Sequence, residues 1–225
     1  MEILKARKGY LTILKGRPCT GKTTAAILDM LNRAVSNEHI MYFTIEYSPE
    51  DLYRRLMTYF DFDPENQTAI NIVDLYRCAF PTLINVIRSE KPSFVYIDYC
   101  EAVTIGSDIP TVMDNRETGT IIVCEELSRI AKELDIGIVL LQQESKYYKE
   151  GQRVETIYNG PCGFKKIAEA VQSNYIIPML IDRETEKDPN KCTLYSFDQD
   201  GKYERYSEFN LEEIYQDKEK NKQNS

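Results

Sequence analysis

The sequence predicts an α/β fold: a mostly parallel sheet with helices on both faces and an antiparallel hairpin at its C-terminal end. Two observations carry that prediction. Apolar runs of strand length alternate with segments of helical period along most of the 225 residues, the pattern of strand–helix–strand units. The first alternation encloses "GRPCTGKTT" (16–24), in which Gly16, Gly21, Lys22 and Thr23 complete G-x-x-x-x-G-K-[ST] between a strand and a helix.

"YLTIL" (10–14) reads as the first strand. Beyond the glycine turn, Ile27, Leu28, Leu31 and Val35 recur at helical spacing. "HIMYFTIEY" (39–47) is a buried strand, and "SPED" then opens a helix, with Ser48 as N-cap, Pro49 at the first helical position and Glu50 and Asp51 in the first turn. Leu52, Leu56 and Tyr59 or Phe60 form its core face. "AINIVDL" (69–75) is a third strand, "TLINVIRSE" (82–90) a short helix, and "SFVYIDY" (93–99) a strand ending in an acid. A loop over 101–117 leads to a long helix carrying Ile121, Ile122, Leu127, Ile130, Ala131 and Leu134 on one side, then to the strand "IGIVLLQQ" (136–143). Residues 144–163 have no clean period and read as a long loop, of a length that is uncommon unless functional or disordered. A helix near 164–173 precedes the strand "YIIPMLI" (175–181). "KCTLYSF" and "KYERYSEF" flank "DQDG" as a hairpin, and "NLEEIY" (210–215) begins a short helix before a polar tail.

Composition narrows the function classes. With 42% hydrophobic and 28% charged residues the chain is an ordinary globular protein, one domain with at most a small appendage. No run of 18 apolar residues and no apolar signal core occurs, so neither membrane nor export is expected. Six cysteines lie scattered without C-x-x-C, beside a single histidine, which argues against zinc and disulfides and fits a reducing cytoplasm. A net charge of −8 is a poor match to coating nucleic acid by charge alone; such contact falls to local basic loops or to a ring with a lumen unlike its rim.

The glycine-rich turn carries the chemistry. Backbone N–H groups of residues 16–24 (Gly16, Arg17, Pro18, Cys19, Thr20, Gly21, Lys22, Thr23 and Thr24, with proline supplying none) and the following helix N-terminus form an anion cradle for polyphosphate. Lys22 reaches the β- and γ-phosphates, and Thr23 offers a hydroxyl to Mg²⁺. Asp98, at the end of "FVYID", is the matching Mg²⁺-side acid. Glu46 ends the neighbouring strand, where a carboxylate orients and deprotonates the attacking water. Gln143 ends "IVLLQQ", where an amide contacts the γ-phosphate or its water; Gln142 is its competitor, since strand alternation sends the two to opposite faces.

Together these strand ends resemble the RecA-type motor domain of DnaB-family replicative helicases. "GRPCTGKT", "TIEYSPEDLYRRL", "VYIDYCEAV", "MDNRETG" and "CEELSRIAKELDIGIVLLQQES" follow that family's order, and "FKKIAEAVQSNYIIPMLIDRE" matches more loosely. The resemblance covers about residues 10–184. It implies a RecA-like P-loop NTPase core over 1–209 with a C-terminal helix and tail at 210–225, using ATP and Mg²⁺, with Lys22 and Thr23 on phosphate and metal, Glu46 as catalytic carboxylate, Asp98 as Mg²⁺-side acid and Gln143 as sensor. It further implies a homo-oligomer (ring or filament) with ATP at subunit boundaries, single-stranded DNA in a channel, and replication or recombination proteins as partners. The loops 101–117 and 144–163 would face that DNA, with Arg116, Lys146, Lys149, Arg153, Lys165 and Lys166 as contacts.

Three departures set expectations of their own. About ten residues precede the first strand, which leaves out the family's N-terminal domain and linker helix, so a monomer or weak oligomer is expected without ligand. The family's late Lys-x-Arg finger has no match after Glu184, Arg183, Lys187 and Lys191 being weak substitutes, so hydrolysis is expected to be slow or partner-dependent. Glu101 stands where the family has an amide, as a second base or a loop charge. Leu211, Ile214 and Tyr215 give the tail helix a small apolar face that either docks on a neighbour or folds back. Competing readings are a nucleotide-gated adaptor or helicase loader with little hydrolysis of its own, and a P-loop kinase, which the single arginine of 144–163 disfavours for want of an arginine-rich lid.

Overall fold

The computed structural model describes residues 3–44, 46–60, 62–63, 69–75, 79–103, 116–144, 153–160, 162–171, 175–183 and 188–215. Eight strands form one sheet in the order β3-β2-β4-β5-β1-β6-β7-β8. In chain order they are β1 (Leu11–Gly16), β2 (Ile40–Thr44), β3 (Ile70–Asp74), β4 (Phe94–Asp98), β5 (Gly137–Gln143), β6 (Ile176–Arg183), β7 (Lys191–Phe197) and β8 (Tyr203–Asn210). β3, β2, β4, β5, β1 and β6 pair in parallel, and β7 and β8 add as antiparallel strands. The predicted C-terminal hairpin is β7–β8, closed by Asp198–Gly201 with Gly201 at φ +80°.

Helices cover both faces. α1 (Lys22–Ala34) and α2 (Pro49–Tyr59) pack with residues 3–6 on one side; α3 (Phe80–Glu90), α4 (Arg116–Leu134), α5 (Arg153–Asn159) and α6 (Phe164–Val171) pack on the other. The central strands β1, β2, β4 and β5 are buried on both faces, which is why they read as near-continuous apolar runs. α2 begins as its sequence dictates: Ser48 Oγ accepts the Asp51 N–H at 3.1 Å and Pro49 takes the first turn.

Two details differ from the sequence reading, and a third takes one of two alternatives that it left open. α1 buries Ala25, Ala26, Ile27, Met30 and Ala34, while Leu28 and Leu31 are half-buried and Val35 is 78% exposed. Its inward face thus combines three alanines with Ile27 and Met30. Within 144–163, described as loop above, residues 153–159 form α5, anchored by the buried Ile157. The helix at 211–215 folds back on its own domain: the Tyr215 ring lies edge-on to Tyr59 (5.1 Å between centroids) and to Phe60 (6.2 Å).

Candidate nucleotide site

β1 sits between β5 and β6, and its carboxyl end delivers Gly16 into the turn that starts α1. Two glycines are required there. A Cβ on Gly16 would lie 2.6 Å from Ile181 Cγ2 and 2.7 Å from Thr20 Oγ1, and Gly21 has φ +91° with Cys192 Sγ 3.0 Å from the place of a Cβ. Lys22 folds over the turn, donating to the carbonyl oxygens of Gly16 (3.0 Å) and Arg17 (2.8 Å). Burial lowers the pKa of its ammonium, against the pull of Asp98, Glu101, Glu46 and Glu144.

The acidic side of the site converges on Thr23. Its Oγ1 lies 2.8 Å from Asp98 Oδ2 and 3.2 Å from Glu46 Oε2. Asp98 is 2% exposed, and Tyr42 donates its hydroxyl to the same Oδ2 at 2.9 Å. Burial, reinforced by the charge of Glu46, pushes the Asp98 carboxyl up to about 6, although Thr23, Tyr42 and Lys22 favour its ionised form. A desolvated carboxylate beside a threonine hydroxyl, with a second carboxylate in reach, is a set of hard oxygen donors suited to Mg²⁺, which takes one or two carboxylates and completes its shell with phosphates and water.

Glu46, Asp98, Tyr99 and Gln143 line a cleft of about 510 Å³ together with Lys22, Thr23 and Thr24 of the phosphate loop and helix, and with Tyr47, Arg55, Leu211 and Tyr215. Gln143 faces this cleft, whereas the Gln142 amide donates to Thr120 Oγ1 at 3.2 Å beneath α4, which resolves the choice between them. The phosphate-loop residues, Glu46, Asp98 and Gln143 are thus brought together.

The basic residues are not gathered in the same way. Arg116 opens α4, but its side chain, like Lys146 and Lys149, lies outside the described residues. Arg153 is engaged with the strand tips, holding Glu144 at 2.6 Å and Asp182 at 2.5 Å. Burial opposes the Arg153 charge, but those two carboxylates more than offset it and raise the guanidinium's pKa. Lys166 pairs with Glu117 at 2.8 Å, and Lys165 borders a separate cavity with Lys5 and Arg7. Arg183 donates to the Cys19 carbonyl of its own phosphate loop at 3.2 Å, and Lys191 pairs with Glu208 at 3.1 Å.

Sequence reasoning missed Tyr47, Arg55 and Tyr215 at the cleft and Tyr42 buried beneath Asp98. The two aromatic runs gave no sign of which rings would turn inward, and Tyr215 meets the site only because the tail helix folds back, its hydroxyl 3.0 Å from Thr24 Oγ1.

This sheet order and this phosphate loop define the class: the chain has the fold of RecA-like P-loop ATPases. Among solved structures it is similar to one ATPase domain at 16% identity over 93% of this chain and 84% of that one, with a TM-score of 0.66. A DnaB-like replicative helicase studied with primase gives 18% identity and a TM-score of 0.66; 93% of this chain is covered, but only 57% of that one. The KaiC-like protein PH0186 of Pyrococcus horikoshii OT3 gives 16% identity and a TM-score of 0.55, covering 89% of this chain and 90% of that one. No protein-family model matches the chain, and no curated protein matches it in sequence.

Proposed function

We propose that this protein binds and hydrolyses ATP with Mg²⁺ and, like a DnaB-type helicase domain, acts on single-stranded DNA in replication or recombination. The convergence of Thr23, Asp98 and Glu46 within 3.2 Å at the mouth of the phosphate loop carries this reading. The loop amides and Lys22 would hold the β- and γ-phosphates, and Thr23 and Asp98 would hold the metal. Mg²⁺, when bound, neutralises charge on the phosphate oxygens. Glu46 is exposed at the cleft, where a carboxylate can take a proton from water attacking the γ-phosphorus, and Gln143 stands where it can orient that water. The likeness to helicase ATPase domains supports the choice of polymer over small-molecule acceptor. The orientation of Arg183 and Lys191 toward their own chain favours the adaptor as second reading, because a motor needs a cation aimed at a γ-phosphate.

ATP turnover measured with and without single-stranded DNA separates the readings, with Lys22→Ala as the blank. Stimulation by single strands is expected. Tight ATP binding with negligible turnover would shift the assignment to the adaptor, and turnover that needs a small-molecule acceptor would make the protein a kinase.

A further inference from the structure

β4 and β5 run side by side only as far as the pair Ile97–Leu140. Beyond it β4 gives way to a 3₁₀ turn, Cys100–Ala102, while β5 continues for three residues toward the cleft. On its other side the tip of β5 stays paired with β1, and the Glu144 N–H donates to the Gly16 carbonyl at 3.1 Å. The preceding N–H, that of Gln143, points the opposite way, to where β4 would have supplied a carbonyl. The Glu101 carboxylate stands there instead, accepting this N–H at 3.1 Å on one oxygen and 3.3 Å on the other. The turn that presents it is closed by hydrogen bonds from Ala102 N–H to Tyr99 and from Val103 N–H to Cys100.

Glu101 is 2% exposed and, unlike Glu46, does not line the cleft. A carboxylate set back from the cleft and engaged with the Gln143 N–H is placed to hold the main chain and not as a second base. It is also not a solvated loop charge, because burying it costs free energy that only aimed donors and nearby cations offset. Its field reaches the Lys22 ammonium. We infer that Glu101 is a positioning residue: its carboxylate substitutes for the missing strand, fixes the main chain at Gln143, and so sets where the Gln143 amide meets the γ-phosphate and its water. This rests on the ATPase reading for its use, though not for the contact itself.

The test uses the full chain and the variants Glu101→Gln, Glu101→Ala and Glu46→Gln. Hydrogen exchange at the Gln143 amide reads the hold directly. Slow exchange is expected in the unmodified protein and in Glu101→Gln, where the amide oxygen still accepts, and fast exchange in Glu101→Ala. For ATP turnover, Glu101→Ala should lower kcat about 10–100-fold through misplacement of Gln143 while the affinity for AMP-PNP does not fall, since the change removes a negative charge near Lys22. Glu101→Gln should recover most of that loss, whereas Glu46→Gln should fall about 10²–10⁴-fold. Glu101→Gln as inactive as Glu46→Gln would overturn the assignment in favour of a base. Unaltered kcat in Glu101→Ala, or AMP-PNP affinity falling in step with kcat, would overturn it as well. Should Glu101→Ala not fold, exchange and turnover of Glu101→Gln against Glu46→Gln decide. Protected exchange that Glu101→Ala abolishes, in a protein without any ATP turnover, would support the hold and overturn the ATPase reading instead.

Discussion

Tyr42 lies in the middle of β2 with its ring stacked on Tyr96 (5.9 Å, 14°) and its hydroxyl on Asp98. Below this pair the Tyr96 hydroxyl donates to Asp29 at 2.6 Å, and Asp29 in turn holds Arg33 at 2.9 Å. The acid assigned to Mg²⁺ is therefore oriented from beneath by a buried donor, as ligating carboxylates commonly are. Tyr42→Phe keeps the ring packing and removes that donor. It should cost about 1.5–3 kcal/mol of stability, the range for a hydrogen bond to a charged group, and raise the Mg²⁺ concentration needed for half-maximal ATP turnover about 10-fold or more. Thermal unfolding and a Mg²⁺ titration measure the two effects; an unmoved Mg²⁺ requirement would mean that Thr23 alone fixes Asp98. Tyr42 was not legible in the sequence, since "IMYFT" reads as an unbroken apolar strand. Only the pairing of Tyr42 with Tyr96 and of Thr44 with Asp98 shows which ring comes to lie under the acid. The glycines, Lys22 and Thr23 were legible because phosphate chemistry demands those residue types at that spacing, and Asp98 because an apolar strand ended on it.

Elements were legible in proportion to their length and the strength of their period. The parallel strands and α4 stood out, while α5, seven residues long, offered too few turns to show a period. Its position depends on the Arg153 bridge to the tips of β5 and β6, a tertiary contact that no local pattern encodes. The tail helix was legible as an apolar face but not in its destination. Its Leu211 and Tyr215 line the cleft, and Tyr215 covers Tyr59 and Phe60 at the end of α2. Because β8 runs to Asn210, where Asn210 pairs with Lys191, a truncation that tests the helix alone must end after Asn210. Loss of residues 211–225 should uncover these aromatics and lower Tm, by about 2–4 °C for each kcal/mol of burial lost in a chain of this size. Oligomeric mass should not change. A Tm equal to that of the full chain, with reduced assembly, would return the helix to a subunit interface.

At the scale of the whole molecule, the cleft opens at the carboxyl edge of the sheet, where ligands of α/β proteins bind beside a change in strand order. Arg183 and Lys191, two of the substitutes for the family's finger, contact their own chain, at the Cys19 carbonyl and at Glu208, while Lys187 lies outside the described residues. Under the proposed motor function, a charge for the γ-phosphate would come from another residue across a subunit boundary or from rearrangement of these side chains on assembly. With a net charge of −8, copies of the chain repel one another at low salt, so in the proposed assembly contacts made through ATP and a shared strand of DNA would have to outweigh that repulsion. The protein is therefore expected to be monomeric and nearly inactive when dilute, and to associate with ATP and single-stranded DNA together. Its turnover per subunit should climb with protein concentration, because a cation supplied across a boundary is worth about 10³-fold or more in phosphoryl transfer. Light scattering and ATP turnover, measured over the same concentration series, check this jointly. Rising mass with rising specific activity is the outcome for a motor assembled on DNA; constant low activity in a protein that stays monomeric with both ligands present would leave the ATP-gated adaptor as the function of this site.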